Sequence, residues 1–188
     1  MPMKLQEVHP SVVHMPLTFL PAAVLADAVG TLRDDPALLQ VGKWGIALAA
    51  GSALLAGFFG LVAQEEVKTR EHSHKMLVTH RTLNVGVTLV ASGMAVARAR
   101  QERPGLGYLA LGAAAVGAAV YSAYLGGHMV YTHGVGVEAA DGVREGTPAL
   151  KRGEGLASVR RSLDNARQGL EHAVQDAARG QIAPSLRG

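Results

Sequence analysis

Four long apolar runs, separated by short polar stretches, occupy the chain up to Tyr131. They lie at about Ser11–Leu32, Val41–Ala63, Leu77–Ala97 and Gly105–Tyr131. A helix crosses a bilayer core of ~30 Å with roughly 20 residues, and each run reaches that length. The first is interrupted by His14 and Asp27, and the second carries Lys43 and Trp44 at its mouth. The third has His80 and Arg81 in its first turn, and the fourth holds no charge and one histidine, His128. Gly45, Gly51, Gly57 and Gly60 in the second run, and Gly107, Gly112 and Gly117 in the fourth, are the small residues through which membrane helices approach closely. A soluble bundle of buried helices is the alternative, and four such runs in succession argue against it. The pattern predicts an all-α, up-down-up-down four-helix bundle in a membrane, with residues 1–140 as the spanning domain.

Two features of the first run carry alternatives. Lys4, the apolar stretch and Ala26-Asp27-Ala28 imitate a cleavable signal, although His14, Pro16 and Pro21 make a poor signal core. Asp27 lies near the end of its run and is expected to pair with Lys43 or Arg98, with a proton-relay role as the lesser reading.

Beyond Tyr131 the pattern changes. Thr132–Gly153 is rich in Gly and charge and reads as a loop or linker. From Glu154 to Arg179, Leu156, Val159, Leu163, Ala166, Leu170, Ala173 and Ala177 recur at three-four spacing, which predicts an amphipathic helix. Residues 141–188 thus form a polar linker and tail helix, lying at the interface or packing on a partner chain, with His172 on its exposed side.

Short connections place both termini and the loop between the second and third runs on one membrane face. Seven of the eight histidines then gather there: His9, His14, His72, His74, His80, His128 and His133. His72 and His74 fall in the middle loop, whereas His14, His80 and His128 lie within about a turn of a span end. Helical spacing puts Asn84 and Thr88 on the face of His80, Thr18 on that of His14, and Tyr121, Tyr124 and Tyr131 on that of His128. Such polar faces are expected to turn inward, away from lipid. Glu65 and Glu66 arrive at the same level from the second run.

Imidazoles from separate helices in an apolar setting suit haem b, which takes two axial histidines. His14 and His80 would approach across the centre, with His128 able to replace either. Gly126 and Gly127 would give the macrocycle room, and Arg81, Lys75 or His133 would meet propionates at the wet edge. A transition-metal ion without porphyrin is the second possibility, drawing on His9, His14, His80, His128, His133 and Glu65. The string Glu71-His72-Ser73-His74 offers a weaker loop pair. The third possibility has no cofactor, with histidines locking helix ends through carbonyls.

Composition narrows the choices further. The absence of cysteine excludes disulfides, thiolate zinc sites, iron–sulfur clusters and a Cys nucleophile. Net charge is +3, but the basic residues sit between apolar runs and not along one stripe, so lipid and not nucleic acid is the expected partner. Gly134-Val135-Gly136 lacks the strand and helix of a phosphate loop, and no serine elbow is present. Polar positions confined to one face do not suit a conducting pore. Lys4, Lys68, Arg70, Lys75, Arg81 and Arg144 flank the histidine face, against Arg33, Lys43, Arg98, Arg100 and Arg103 on the other. That balance leaves orientation open, although the arginines of the short third connection favour the second face as cytoplasmic.

His9-Pro10 and His14-Met15-Pro16, then His80-Arg81-Thr82-Leu83-Asn84, then Gly126-Gly127-His128-Met129-Val130-Tyr131 with His133-Gly134-Val135-Gly136-Val137, stand in that order among the spans. In these elements the chain, over about residues 5–140, resembles a bacterial membrane family catalogued as domain of unknown function 2231. The resemblance implies a four-helix protein of the bacterial inner membrane. Some relatives are joined to Rieske-type iron–sulfur domains, which implies an electron-transfer setting and a partner protein or larger membrane complex. By position it singles out His9, His14, His80, Asn84, Gly126, Gly127 and His133. The combined expectation is an electron carrier of b-type cytochrome character. The alternatives are a non-redox scaffold docking a partner through its tail helix, and a histidine/carboxylate metal-binding protein.

Overall fold

The computed structural model describes residues 4–144 and 155–186; residues 145–153 of the linker expected at Thr132–Gly153, and Glu154, lie outside the described residues. Within them the chain is all-α, with no strand and an isolated antiparallel bridge between Val67 and Val143. The helices are α1 (Leu5–Val12), α2 (His14–Arg33), α3 (Pro36–Glu66), α4 (Glu71–Ala99), α5 (Leu106–His133) and α6 (Gly155–Ala178). Taken with α1 and α2 as one 29-residue stretch, four helical segments are long and apolar enough to cross a membrane.

Local chemistry sets the boundaries. Pro16 has no N–H for the carbonyl of Val12 and its ring crowds that carbonyl, so the first span breaks at Val13 and restarts as α2. Asp34 turns left-handed at the end of α2 (φ 56°, ψ 39°), its N–H bonding the Gly30 carbonyl. Asp35 then caps α3, its Oδ1 accepting from the N–H of Ala37 (2.9 Å) and Leu38 (3.2 Å), with Pro36 at the first helical position. The connection expected at 33–40 therefore shrinks to two residues, and α3 starts earlier than its apolar run. α4 also starts early. Ser73 Oγ accepts from the N–H of Arg70 (2.9 Å) and returns a bond to the Arg70 carbonyl, so His72 and His74 stand on a helix and not in a loop.

At the end of α5, Gly134 (φ 65°) stops the helix. The N–H of Gly134 bonds the Val130 carbonyl, the N–H of Val135 bonds that of Met129, and Val135 is buried. The chain after it folds back on the α3–α4 connection: Lys68 N–H bonds Gly142 O, and Arg144 N–H bonds Glu66 O.

Two compact units divide the chain. The unit of Val12–Ala56 and Asn84–Tyr121 is a four-helix core: Leu20 and Ala23 of α2, Ile46, Ala49 and Ala50 of α3, Val87, Ala91 and Met94 of α4, and Ala115 and Ala119 of α5. Alanine dominates its interior, while Leu25, Trp44, Leu48, Leu89 and Val120 point outward, as side chains facing acyl chains do. Gly45 and Gly112 permit close approach, since a Cβ there would press on Ala23 and on Val24 and Met94. At Gly51, Gly57, Gly107 and Gly117, expected to act likewise, a Cβ would meet no other part of the described residues within 4 Å beyond its own helix turn. The other unit holds α1, the end of α3, the start of α4, the end of α5 and α6, with its own core of Val67, Met76, Leu125, Met129 and Val135.

Candidate functional site

Seven histidines, all but His14, belong to the unit containing the end of α3 and the start of α4. His9 of α1 and His80 of α4 form its inner pair, with ring centroids 6.2 Å apart and planes 87° to each other. Backbone approach makes the pair possible. A Cβ on Gly60 would lie 3.2 Å from His9 Cε1, and one on Gly126 would lie 3.2 Å from His80 Cε1. His80 Nδ1 lies 2.8 Å from the carbonyl of Ser122. A carbonyl only accepts, so Nδ1 carries the proton and the lone pair is on Nε2. The Ser122 hydroxyl lies 3.0 Å from the same nitrogen. Gln6, one turn before His9, is buried, and its Oε1 has no hydrogen-bond partner among the described residues.

An outer set forms a chain of rings. His72 lies 5.4 Å from His133, His133 lies 5.4 Å from His128, and His128 stacks on Tyr124 at 5.8 Å. Thr132 Oγ1 is 3.2 Å from His128 Nδ1. An open depression beside His133 is lined by Arg70, Val130, Tyr131, Thr132 and Ala140, and not by His9 or His80. His74 is exposed, with Thr69 Oγ1 at 3.5 Å from its Nδ1. Among the described residues, no three His, Asp or Glu side chains converge as a metal-ion site.

The other candidate residues have different company. His14 is exposed on α2, and Thr18 Oγ1 bonds its backbone carbonyl and not its ring. Asn84 and Thr88 are half-buried. Tyr121, Tyr124 and Tyr131 face outward, Tyr131 at 91 % exposure, because α5 buries Ser122, Leu125 and Met129 instead. That placement suits an interfacial aromatic belt. A Cβ on Gly127 would meet the Tyr131 ring at 4.0 Å and nothing nearer among the described residues. Lys75 makes an i,i+4 pair with Glu71 (3.4 Å).

The carboxylates and Arg81 are engaged by α6. Glu66, buried, accepts from Asn165 Nδ2 (2.6 Å) and Arg161 Nε (3.0 Å). Glu65 accepts from Gln64 Nε2 (3.0 Å) and His172 Nδ1 (2.8 Å). Arg81 donates to Gln64 Oε1 (3.2 Å) and Asp176 Oδ2 (2.6 Å). His172, expected on the exposed side of the tail helix, is exposed there, and its ring nitrogen also bonds Glu65. Sequence reasoning passed over this polar stripe of α6 while following its apolar one. The signal was present, since Ser158, Asn165, Gly169, His172 and Asp176 also recur at helical spacing.

Helices of this length and hydropathy, with outward-facing apolar side chains, define a multi-pass membrane protein. The chain belongs to the family described as "predicted membrane protein (DUF2231)", whose model matches residues 6–139. No curated protein and no solved structure matches it.

Proposed function

We propose that this protein is a membrane electron carrier in which His9 and His80 hold a haem b near one membrane face. The observation that carries the reading is the inner imidazole pair. Two imidazoles brought together from separate helices are the donor set a haem b would take. His9 and His80 supply such a pair, with ring centroids 6.2 Å apart. The donor chemistry fits as well. The Ser122 carbonyl, 2.8 Å from His80 Nδ1, orients the ring and fixes its tautomer, as a carbonyl behind a metal-binding histidine does. Gly60 and Gly126 give both rings backbone-level clearance. When bound, the haem would supply reversible one-electron chemistry. His9 and His80 would hold the group, in an apolar surrounding that tunes its potential.

The test is an absorption spectrum and metal analysis of full-length protein purified from membranes of haem-sufficient cells. A Soret band that shifts on reduction is expected, lost in His9→Ala and His80→Ala and retained in His14→Ala. A colourless, metal-free preparation overturns the proposal. A pigment that survives His9→Ala and fails in His14→Ala overturns the ligand assignment.

A further inference from the structure

The amphipathic tail helix presents its faces in an order unusual for a globular protein. The small and polar residues Ser158, Asn165 and Gly169 are buried against the unit, while Leu156, Val159, Leu163, Leu170 and Val174 are all more than half exposed. Its docking partners show how it lies. From Arg161 to Asp176, about 22 Å of helix at 1.5 Å per residue, α6 moves from Glu66 of α3 to Arg81 of α4. On α3 its hydrogen bonds and its closest approach, among the described residues, fall on the last turns, between Leu61 and Glu66. There Gly169 sits so close that a Cβ would be 2.7 Å from the Leu61 carbonyl oxygen. The helix thus crosses the flank of the span end and does not run along it.

At about 100° per residue, α6 has three faces. Arg161, Asn165, Gly169, His172 and Asp176 make the docked one. Leu156, Val159, Leu163, Leu170 and Val174 fall within about 60° of one another and make an apolar stripe roughly opposite. Arg160, Asp164, Arg167 and Glu171 fill the remaining side, with Arg167 Nε bonding Glu171 at 2.9 Å. A helix with one side on protein, one apolar and one charged suits the line where protein, acyl chains and water meet.

We infer that α6 is an in-plane membrane helix whose Leu156–Val174 stripe enters the phospholipid leaflet beside the end of α3. Lipid is the occupant because α6 docks on the last turns of α3, an apolar span of a membrane protein, and the stripe is turned away from that contact. Over Gly155–Ala178 the charges of Arg160, Arg161 and Arg167 balance those of Asp164, Glu171 and Asp176. The anchoring force is therefore apolar burial and not attraction to anionic headgroups. The inference is independent of any haem.

The chain has a single tryptophan, Trp44, so a full-length Trp44→Phe protein provides a dark background. Leu163→Trp, Val174→Trp and, on the charged side, Gln168→Trp are introduced singly and reconstituted in nanodiscs containing brominated phosphatidylcholine. The first two are expected to emit at shorter wavelength than Gln168→Trp. Bromolipid should quench them at least twofold, to the same extent with and without phosphatidylglycerol, while aqueous acrylamide quenches only Gln168→Trp. Equal acrylamide quenching at all three sites overturns the inference. So does shielding that bromine does not quench, which would indicate a second copy or another protein on the stripe. Quenching that appears only with anionic lipid overturns the apolar anchoring.

Discussion

Arg98 of α4 grips the carboxylate of Asp27 on α2, its Nε lying 3.0 and 3.1 Å from the two oxygens and its Nη2 2.9 Å from Oδ1. Both side chains are essentially inaccessible, at 1 % and 0 % exposure. The remaining guanidinium hydrogens go to the carbonyls of Leu39, Gln101 and Glu102, tying the start of α3 and the exit from α4 to the same cation. Of the partners the sequence offered Asp27, Arg98 is the one it takes. The pair organises helix ends within its unit, and its satisfied hydrogen bonds argue for structure over proton relay.

Removing one partner strands the other charge. Asp27→Ala or Arg98→Ala is expected to lower stability by about 3–5 kcal/mol, read as unfolding in a fixed detergent or bicelle. Arg98→Lys should recover little, because an ammonium cannot make the planar fork. The double change Asp27→Leu with Arg98→Met should lose less than either single alanine. If the single alanines cost under about 1 kcal/mol, the value typical of exposed pairs, the latch assignment is wrong.

Gly42 tests the same latch from a third side. A Cβ there would collide with the Asp27 carboxylate, which Arg98 holds in place. Gly42→Ala should therefore destabilise by several kcal/mol, of the order of ~3 for breaking a buried pair. Gly51→Ala, on the same helix with nothing within 4 Å, should gain about 0.5–1 kcal/mol from helix propensity. Equal effects at the two positions would show that the contact at Gly42 is unimportant.

These features were legible to different degrees for physical reasons. The spans announced themselves because a bilayer demands length and apolarity, and those are properties of composition. The start of α4 did not, since Glu71-His72-Ser73-His74-Lys75 is as polar as a loop, and the bonds that start it as a helix include the Ser73 cap on Arg70. By spacing with Thr18 alone His14 is expected to turn inward, but it is exposed; His9, five residues earlier and so about 140° away around the helix, is the ring that stands beside His80. α6 was found by its apolar stripe, but beside a membrane that stripe can turn to lipid. Which face docks was decided by complementary groups distant in sequence, Glu65, Glu66 and Arg81.

Docking of α6 rests on Glu66, buried with Asn165 and Arg161 against it. Asn165→Leu leaves the carboxylate without its shortest partner and places a branched side chain on a buried position. The expected result is hydrogen exchange across 155–178 at least tenfold faster, with the exchange of α2 to α5 unchanged. Arg167→Ala, which breaks only an exposed i,i+4 pair, should leave exchange within twofold. Uniform protection in both variants would mean that α6 is held by something other than these bonds.

The adjacent glycines 126 and 127 separate two explanations of one motif. If both merely loosened α5, alanine at either would stiffen the helix by about 0.5–1 kcal/mol. The geometry distinguishes them: a Cβ on Gly126 would lie 3.2 Å from His80 Cε1, whereas one on Gly127 would lie 4.0 Å from the Tyr131 ring. Gly127→Ala should therefore be neutral or stabilising. Gly126→Ala must move the His80 ring, which the Ser122 carbonyl holds at 2.8 Å, and should cost about 1–3 kcal/mol as an overpacked contact does. The imidazole resonances of His80, followed by NMR in micelles with a His80→Gln control for assignment, should shift in Gly126→Ala and stay in place in Gly127→Ala. Identical spectra and stabilities for the two variants would mean that Gly126 gives the His80 ring no needed clearance.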